Sequence, residues 1–325
     1  MLYCIHTIII KQRRFVSCDS SSNSGPLSSM SSQPAFPSFL PADKAALLQT
    51  VCANLTTIPG VRAVVLGGSY ARATYHAASD LDVGIYYSEA APFAIREIEH
   101  LAQSLALQPP TVTDFYAWGR WVNGGAWIHT AAGKLDFLYR NLDQVQRTID
   151  ESAGGAWSHD YDQQPAFGFY SVIYLAETRI CLPLYDPDGL IVGLKQAVAQ
   201  YPPRLKQRIL SDSLWSAEFT LLHARGFATA GDVYAATGCL GRAAASLTQA
   251  LYALNETYFI NDKKAMAELG AFAILPAGYL EQLNPILAHP GASPAELAHS
   301  VAALESLWRQ VVALCGDEYK SRYKI

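Results

Sequence analysis

Residues 61–87, VRAVVLGGSYARATYHAASDLDVGIYY, restrict what this chain can fold into more than any other stretch. Residues 61–66 are an almost unbroken apolar run, which predicts a central strand buried on both faces. Gly67-Gly68 stops the run, a short helical segment follows, and residues 79–87 predict a second strand carrying Asp80 and Asp82. Side chains two apart on a strand share a face. Two carboxylates held that close repel each other unless a cation sits between them. A hard divalent ion answers that need, with Mg²⁺ favoured where phosphate oxygens complete its shell. The turn supplies the matching half. Gly67 and Gly68 let backbone approach a ligand closely, Ser69 adds a hydroxyl, and the N–H groups of the following helix start suit an anion. Arg72, one turn on, is placed to pair with a phosphate. Taken singly, a Gly-Gly is commonly a turn and an Asp-x-Asp commonly a solvated strand end; their conjunction at this spacing points to a site.

A third carboxylate comes from further along. Residues 126–130 and 134–140 predict a hairpin around Ala132-Gly133. In its second arm Leu135, Phe137 and Tyr139 alternate with Asp136, Leu138 and Arg140, so Asp136 faces away from the apolar set. Three carboxylates and a phosphate ester can hold two ions and align an in-line displacement. Asp80, Asp82 and Asp136 are therefore the candidate catalytic and metal residues.

Around this unit the pattern predicts helices over 43–55 and 92–107, with a strand near 112–118 between the second helix and the hairpin. Beyond residue 141 the character turns helical: 143–152, 167–181, 190–200, a long antiparallel pair 204–226 and 228–259 joined at Gly226, then 280–287 and 294–319. Leu240, Ala244, Leu247, Leu251 and Leu254 form a core stripe in the second long helix. The expected fold class is α+β: a small mixed sheet flanked by helices, followed by an all-helical bundle. The expected divisions are a Ser- and Pro-rich disordered extension over 1–41, a sheet domain over 42–150 and a helical domain over 151–325. Met30 then stands as a candidate natural start.

Composition bounds the alternatives. The chain has 325 residues, 50% hydrophobic and 16% charged, with a net charge of −4. That balance lacks the overall basicity of nucleic-acid binders, so nucleic acid is not expected as a partner. The apolar run 2–10 is too short to span a bilayer, and its basic residues follow it where a secretory signal needs them ahead. No membrane association and a cytoplasmic location are expected. Six cysteines, none in C-x-x-C spacing, read as reduced thiols. His76 and His129 lie near the motif and are read as structural. Trp118, Trp121 and Trp127 are read as packing, with stacking on a base or sugar as the sharper alternative. Asp232 and Glu256 are read as solvated helix charges rather than an acceptor site.

Gly-Gly-Ser-x-Ala-Arg, then Ser-Asp-x-Asp about ten residues on, then a third strand aspartate, resembles the nucleotidyltransferase superfamily that includes DNA polymerase beta. The resemblance covers about residues 61–140. Within it the chain is similar to small bacterial enzymes with a helical C-terminal domain, such as the aminoglycoside and lincosamide nucleotidyltransferases. Leu254-Asn255-x-x-Tyr258-Phe259, followed by Lys263, matches a segment of those proteins. The resemblance implies a nucleoside triphosphate, ATP by expectation, held by Gly67, Gly68, Ser69, Arg72 and Lys263. It implies two Mg²⁺ ions on Asp80, Asp82 and Asp136, with Asp136 either a ligand or the base. A nucleoside monophosphate would pass to a hydroxyl of a small molecule, an antibiotic among the candidates, and pyrophosphate would leave. A protein-modifying antitoxin-type transferase and a nucleotide-binding module without turnover are the alternatives. A homodimer is compatible with the resemblance. Ala73 departs from the family, which often has glycine there.

Overall fold

The computed structural model describes residues 36–323. The extension up to residue 35, Met30 included, lies outside the described residues. Packing begins before the expected start at 42, for Leu40 is buried and Phe36 rests on the same apolar core.

The first half alternates helix and strand: α1 (Ala42–Leu55), β1 (Ala63–Leu66), α2 (Gly68–Ala71), β2 (Leu81–Tyr87), α3 (Ile95–Leu105), β3 (Thr111–Val112), α4 (Gly119–Val122), β4 (Gly125–Thr130) and β5 (Gly133–Asn141). The second half holds α5 (Leu142–Ala153), a small hairpin of β6 (His159–Asp160) and β7 (Phe169–Tyr170), α6 (Val172–Ile180), β8 (Leu182–Tyr185) and α7 (Leu190–Ala197). The helices α8 (Pro203–Ala230), α9 (Val233–Leu254), α10 (Ala265–Leu269), α11 (Tyr279–Ala288) and α12 (Pro294–Cys315) complete it.

Six strands form one mixed sheet in the order β3-β4-β5-β2-β1-β8, in which β2 and β5 run parallel and the other neighbours antiparallel. The expected mixed sheet and helical C-terminal region are both present. One strand of the sheet, β8, lies beyond residue 150 and pairs with β1. The strand expected over 112–118 is reduced to β3 because residues 115–118 form a turn in which Tyr116 takes positive φ, which extended pairing does not allow. The helix expected over 167–181 begins only at Val172, after β7. The long pair is joined at Gly231, not Gly226. Gly231 takes the left-handed conformation with φ 71°, and Asp232 caps α9 by accepting from the Ala235 N–H at 2.9 Å.

The period of the strands decides what each sheet face does. Leu81, Val83, Ile85 and Tyr87 of β2, with Leu135, Phe137 and Tyr139 of β5, pack into a core with α1 and α3. The intervening Asp82, Gly84 and Tyr86, with Leu138 and Arg140, turn to the opposite face. There Ala63, Val65 and Tyr86 join the second core, built largely of α6 and α8–α12. Asp82, on that face, is half-buried and borders a cavity. Among the described residues no helix is long and apolar enough to cross a membrane.

Candidate active site

Asp82 sits on β2 directly beside Asp136 on β5, at paired positions of the parallel ladder. Asp80 lies just ahead of β2, partly exposed. The Lys134 ammonium stands between two of the three carboxylates, 2.8 Å from Asp136 Oδ2 and 3.3 Å from Asp80 Oδ2. Burial, then repulsion from Asp136 and Asp80, pushes the Asp82 carboxyl from its ordinary 3.8 up to about 6. Burial raises Asp136 as well, opposed by the hydrogen bond from Lys134. Burial works against the Lys134 charge, yet its two carboxylate partners hold its pKa above the ordinary value. Lys134 lies two residues before Asp136, so strand alternation places it on the same face; that signal was in the sequence and the carboxylate pattern overshadowed it.

As placed here, no group of three or more His, Cys, Asp or Glu among the described residues has the spacing to hold a metal ion. The donor chemistry still fits one. Asp136 Oδ1 is buried with no hydrogen-bond partner, and two of the three carboxylates, Asp80 and Asp136, already draw a cation, the Lys134 ammonium, between them. A hard divalent ion satisfies the same charge demand more fully.

The glycine turn is locked to these acids. Gly67 N–H donates to the Asp82 carbonyl at 2.8 Å. Gly68 has φ 59°, and a Cβ there would fall 1.7 Å from Asp82 Oδ2, so only glycine fits. Ser69 follows in the first turn of α2 with its side chain half-buried. Arg72 is ion-paired with Glu268 of α10, which also accepts from the Tyr252 hydroxyl at 2.8 Å. It borders the site, but its charge is already engaged. Ala73 keeps the left-handed backbone, φ 55°, in spite of its methyl group.

Two cavities meet at Asp82. Gly68, Asp82 and Lys263 border both. One, of about 430 Å³, is lined by Ser69, Arg72, Lys134, Lys263 and Lys264. The other, of about 290 Å³, has Gly84, Tyr86 and Arg140 beneath it and Glu177 at its wall, with Pro165 and Gly168 of the β6–β7 hairpin closing it. Lys263 reaches this place on the segment that leaves α9, and among the described residues its side chain carries no ion pair. Burial raises the Asp262 carboxyl beside it, opposed by the nearby backbone N–H groups of Ala166 and Phe167 in the hairpin.

Nothing in the sequence pattern singles out Arg140 or Glu177. Arg140 is buried and donates to both Glu177 oxygens at 2.8 Å, joining β5 to α6. Glu177 lies 37 positions away, and nothing in the local pattern couples the two. Trp121 is core, stacked on Phe169 at 5.2 Å. Trp127 is paired with Asp136 across the ladder, about half exposed, and stacks on Trp118 at 4.9 Å. His129 is paired with Lys134 on the same strands. His76 lines the larger cavity, and its N–H donates to Ser79 Oγ. Asp232 is a helix cap, and Glu256 pairs with Lys206 at 3.1 Å.

Residues 46–117 match the family model of a nucleotidyltransferase domain. No curated protein matches the chain. Among solved structures, the chain is similar to a nucleotidyltransferase-like protein from Exiguobacterium sibiricum 255-15. That likeness has 8% identity and a TM-score of 0.43, covering 85% of this chain and 77% of the other. It is also similar to an aminoglycoside 6-adenyltransferase from Bacillus subtilis at 9% identity and a TM-score of 0.32, covering 87% of this chain and 94% of the other.

Proposed function

We propose, for a chain that carries a nucleotidyltransferase domain, that it moves a nucleoside monophosphate from a nucleoside triphosphate to a hydroxyl of a small molecule. The observation that carries this reading is the meeting of two unlike cavities at Asp82. The cavity lined by Lys134, Lys263 and Lys264 suits a polyanion such as a triphosphate. The smaller one, bordered by Pro165 and Gly168 of the β6–β7 hairpin, is of small-molecule size. The α-phosphorus would lie where they meet.

The acceptor oxygen attacks the α-phosphorus, the bond to the bridging oxygen of the β-phosphoryl breaks, and pyrophosphate departs. Gly67 and Gly68 admit the phosphate chain against the backbone, and Ser69 offers it a hydroxyl. Lys263 and Lys264 balance the charge of the leaving pyrophosphate. Asp80, Asp82 and Asp136 would hold Mg²⁺, whose chemistry is to neutralise phosphate charge and lower the pKa of the attacking hydroxyl. Asp136, whose Oδ1 is buried without a partner, is in this reading either the third ligand of that ion or the base that takes the hydroxyl proton, which otherwise leaves to water. Lys134 balances the charge of Asp80 and Asp136, where the ion would be held. Arg140 and Glu177 fix the wall of the acceptor cavity.

The test is transfer from α-labelled ATP to a panel of hydroxylated small molecules, antibiotics included. Asp82→Ala is expected to lower turnover by about a hundred- to a thousandfold, the scale seen for loss of a group that stabilises the transition state. Transfer that survives unchanged in Asp80→Ala and Asp82→Ala removes this site assignment. Label appearing on protein instead of on the small molecules would move the acceptor to a polypeptide.

A further inference from the structure

A third cavity is larger than either of the two at Asp82. A space of about 720 Å³ lies in the helical half, between α8 and α9 and beneath the other side of the β6–β7 hairpin. The hairpin is a shared wall: Pro165 and Gly168 face the acceptor cavity, whereas His159, Phe167 and Tyr170 face this one. Neither Asp82 nor Lys263 borders it.

Its α9 wall is stripped of side chains at Gly238, Gly241 and Ala245, one face of the helix. Glycine is the poorest helix former after proline. At Gly238 and Gly241 a Cβ would meet nothing within 4 Å, so packing does not require glycine there. What the glycines leave is room. The floor carries a second, independent sign. Gln249 of α9 is 3% exposed, lines the cavity, and its amide has no hydrogen-bond partner among the described residues. Ser213 of α8 lines the same floor, with its Oγ sealed beneath it. Buried hydroxyl and amide groups are rarely left idle. The opposite wall is aromatic: Trp157, Tyr170 and His159 stack in series, with centroids 5.9 and 4.1 Å apart. At the rim, Asp212 is already engaged by Trp157 Nε1–H and Arg208. Arg242 is exposed and has no carboxylate partner among the described residues.

The geometry points to a second small-molecule site here, for an aromatic anion: a ring system seated between the aromatic wall and the bared face of α9, hydrogen-bonded by Gln249, with its acidic group at Arg242. This site is separate from the one at Asp82 and does not depend on the reaction assigned there.

The probe is 8-anilinonaphthalene-1-sulfonate, with N-phenyl-1-naphthylamine as its neutral counterpart, titrated by fluorescence against the full-length native protein. One saturable site per chain is expected for both. Gly241→Leu fills the cavity while favouring the helix, and it should weaken both dyes by at least about tenfold, the loss expected when a buried ring is displaced. Ala245→Leu repeats the test should Gly241→Leu unfold. Arg242→Ala should weaken the sulfonate by about fivefold and leave the neutral dye unchanged. Asp82→Ala should change neither. Unaltered binding in a folded cavity-filling variant, or displacement of the dye by Mg-ATP, overturns the site. Equal effects of Arg242→Ala on both dyes overturn the anionic assignment.

Discussion

Ala73 and Asp82 show at single residues how the site trades stability for position. Ala73 is held at φ 55°, a region that costs a non-glycine residue about 1–2 kcal/mol. Ala73→Gly should therefore raise stability by about 0.5–1 kcal/mol after the extra freedom of the unfolded glycine is counted. Urea unfolding reads this directly, and a loss of stability would show that the methyl group packs usefully. The departure from glycine was legible in the sequence; that the left-handed turn survives it was not, because backbone conformation there follows from the closure of α2 onto β2. Asp82 carries the larger strain. Its carboxyl binds its proton more tightly folded than unfolded, at about 6 against 3.8. The folded state is thus favoured at low pH, and that advantage is lost as pH rises from about 4 through 6. The full span is on the order of 2–3 kcal/mol at 1.36 kcal/mol per unit. In metal-free buffer Asp82→Asn should flatten this part of the stability–pH curve and be more stable than wild type at pH 7. If instead it loses stability at pH 7, the Asp82 charge is compensated by more than Lys134.

At the scale of elements, the connection between α8 and α9 separates two readings of the same glycines. Periodicity placed the break at Gly226, whereas the chain breaks at Gly231-Asp232. Gly226 lies inside α8, where a Cβ meets nothing. Gly226→Ala should stabilise by up to about 1 kcal/mol through helix propensity. Asp232→Ala should cost about 1 kcal/mol through the lost cap, and Gly231→Ala about 1 kcal/mol through its positive φ. Thermal melts of the three variants check the order of effects; a destabilising Gly226→Ala would contradict it. The Gly-Asp pair was available as a stop-and-start signal, but an alanine-rich stretch continues the helix past the first glycine. Strand elements were legible where alternation was strong, as in β2 and β5, and illegible where pairing is short, as in β3 and β8.

Over the whole molecule, a single buried carboxylate fastens the C-terminal segment to the helices. Glu218 of α8 is fully buried and accepts from the Tyr319 hydroxyl, from Ser321 Oγ at 2.6 Å, and from the Arg322 and Tyr323 N–H groups at 2.8 and 2.6 Å. Glu218→Ala orphans four donors and should cost about 3–5 kcal/mol. Removing residues 319–325 leaves the same carboxylate unpaired, so the two changes together should cost far less than their sum. Additive losses in chemical unfolding would show that Glu218 and the segment act separately. This latch joins positions about a hundred apart, as the Arg140–Glu177 pair joins β5 to α6 across 37. The sequence by itself determined the glycine turn, the spacing of Asp80 and Asp82, and the alternation that sets Asp136 apart from its apolar neighbours. These are local, because chain geometry alone puts such residues on one face. Only the tertiary structure decided that Asp136 lies beside Asp82, that Lys134 stands among the carboxylates, and that Arg72 is bound to Glu268. It also brought β8 to the sheet and opened a second cavity behind the β6–β7 hairpin. Those relations depend on which distant elements pack together, a matter of shape and burial that one-dimensional spacing does not carry.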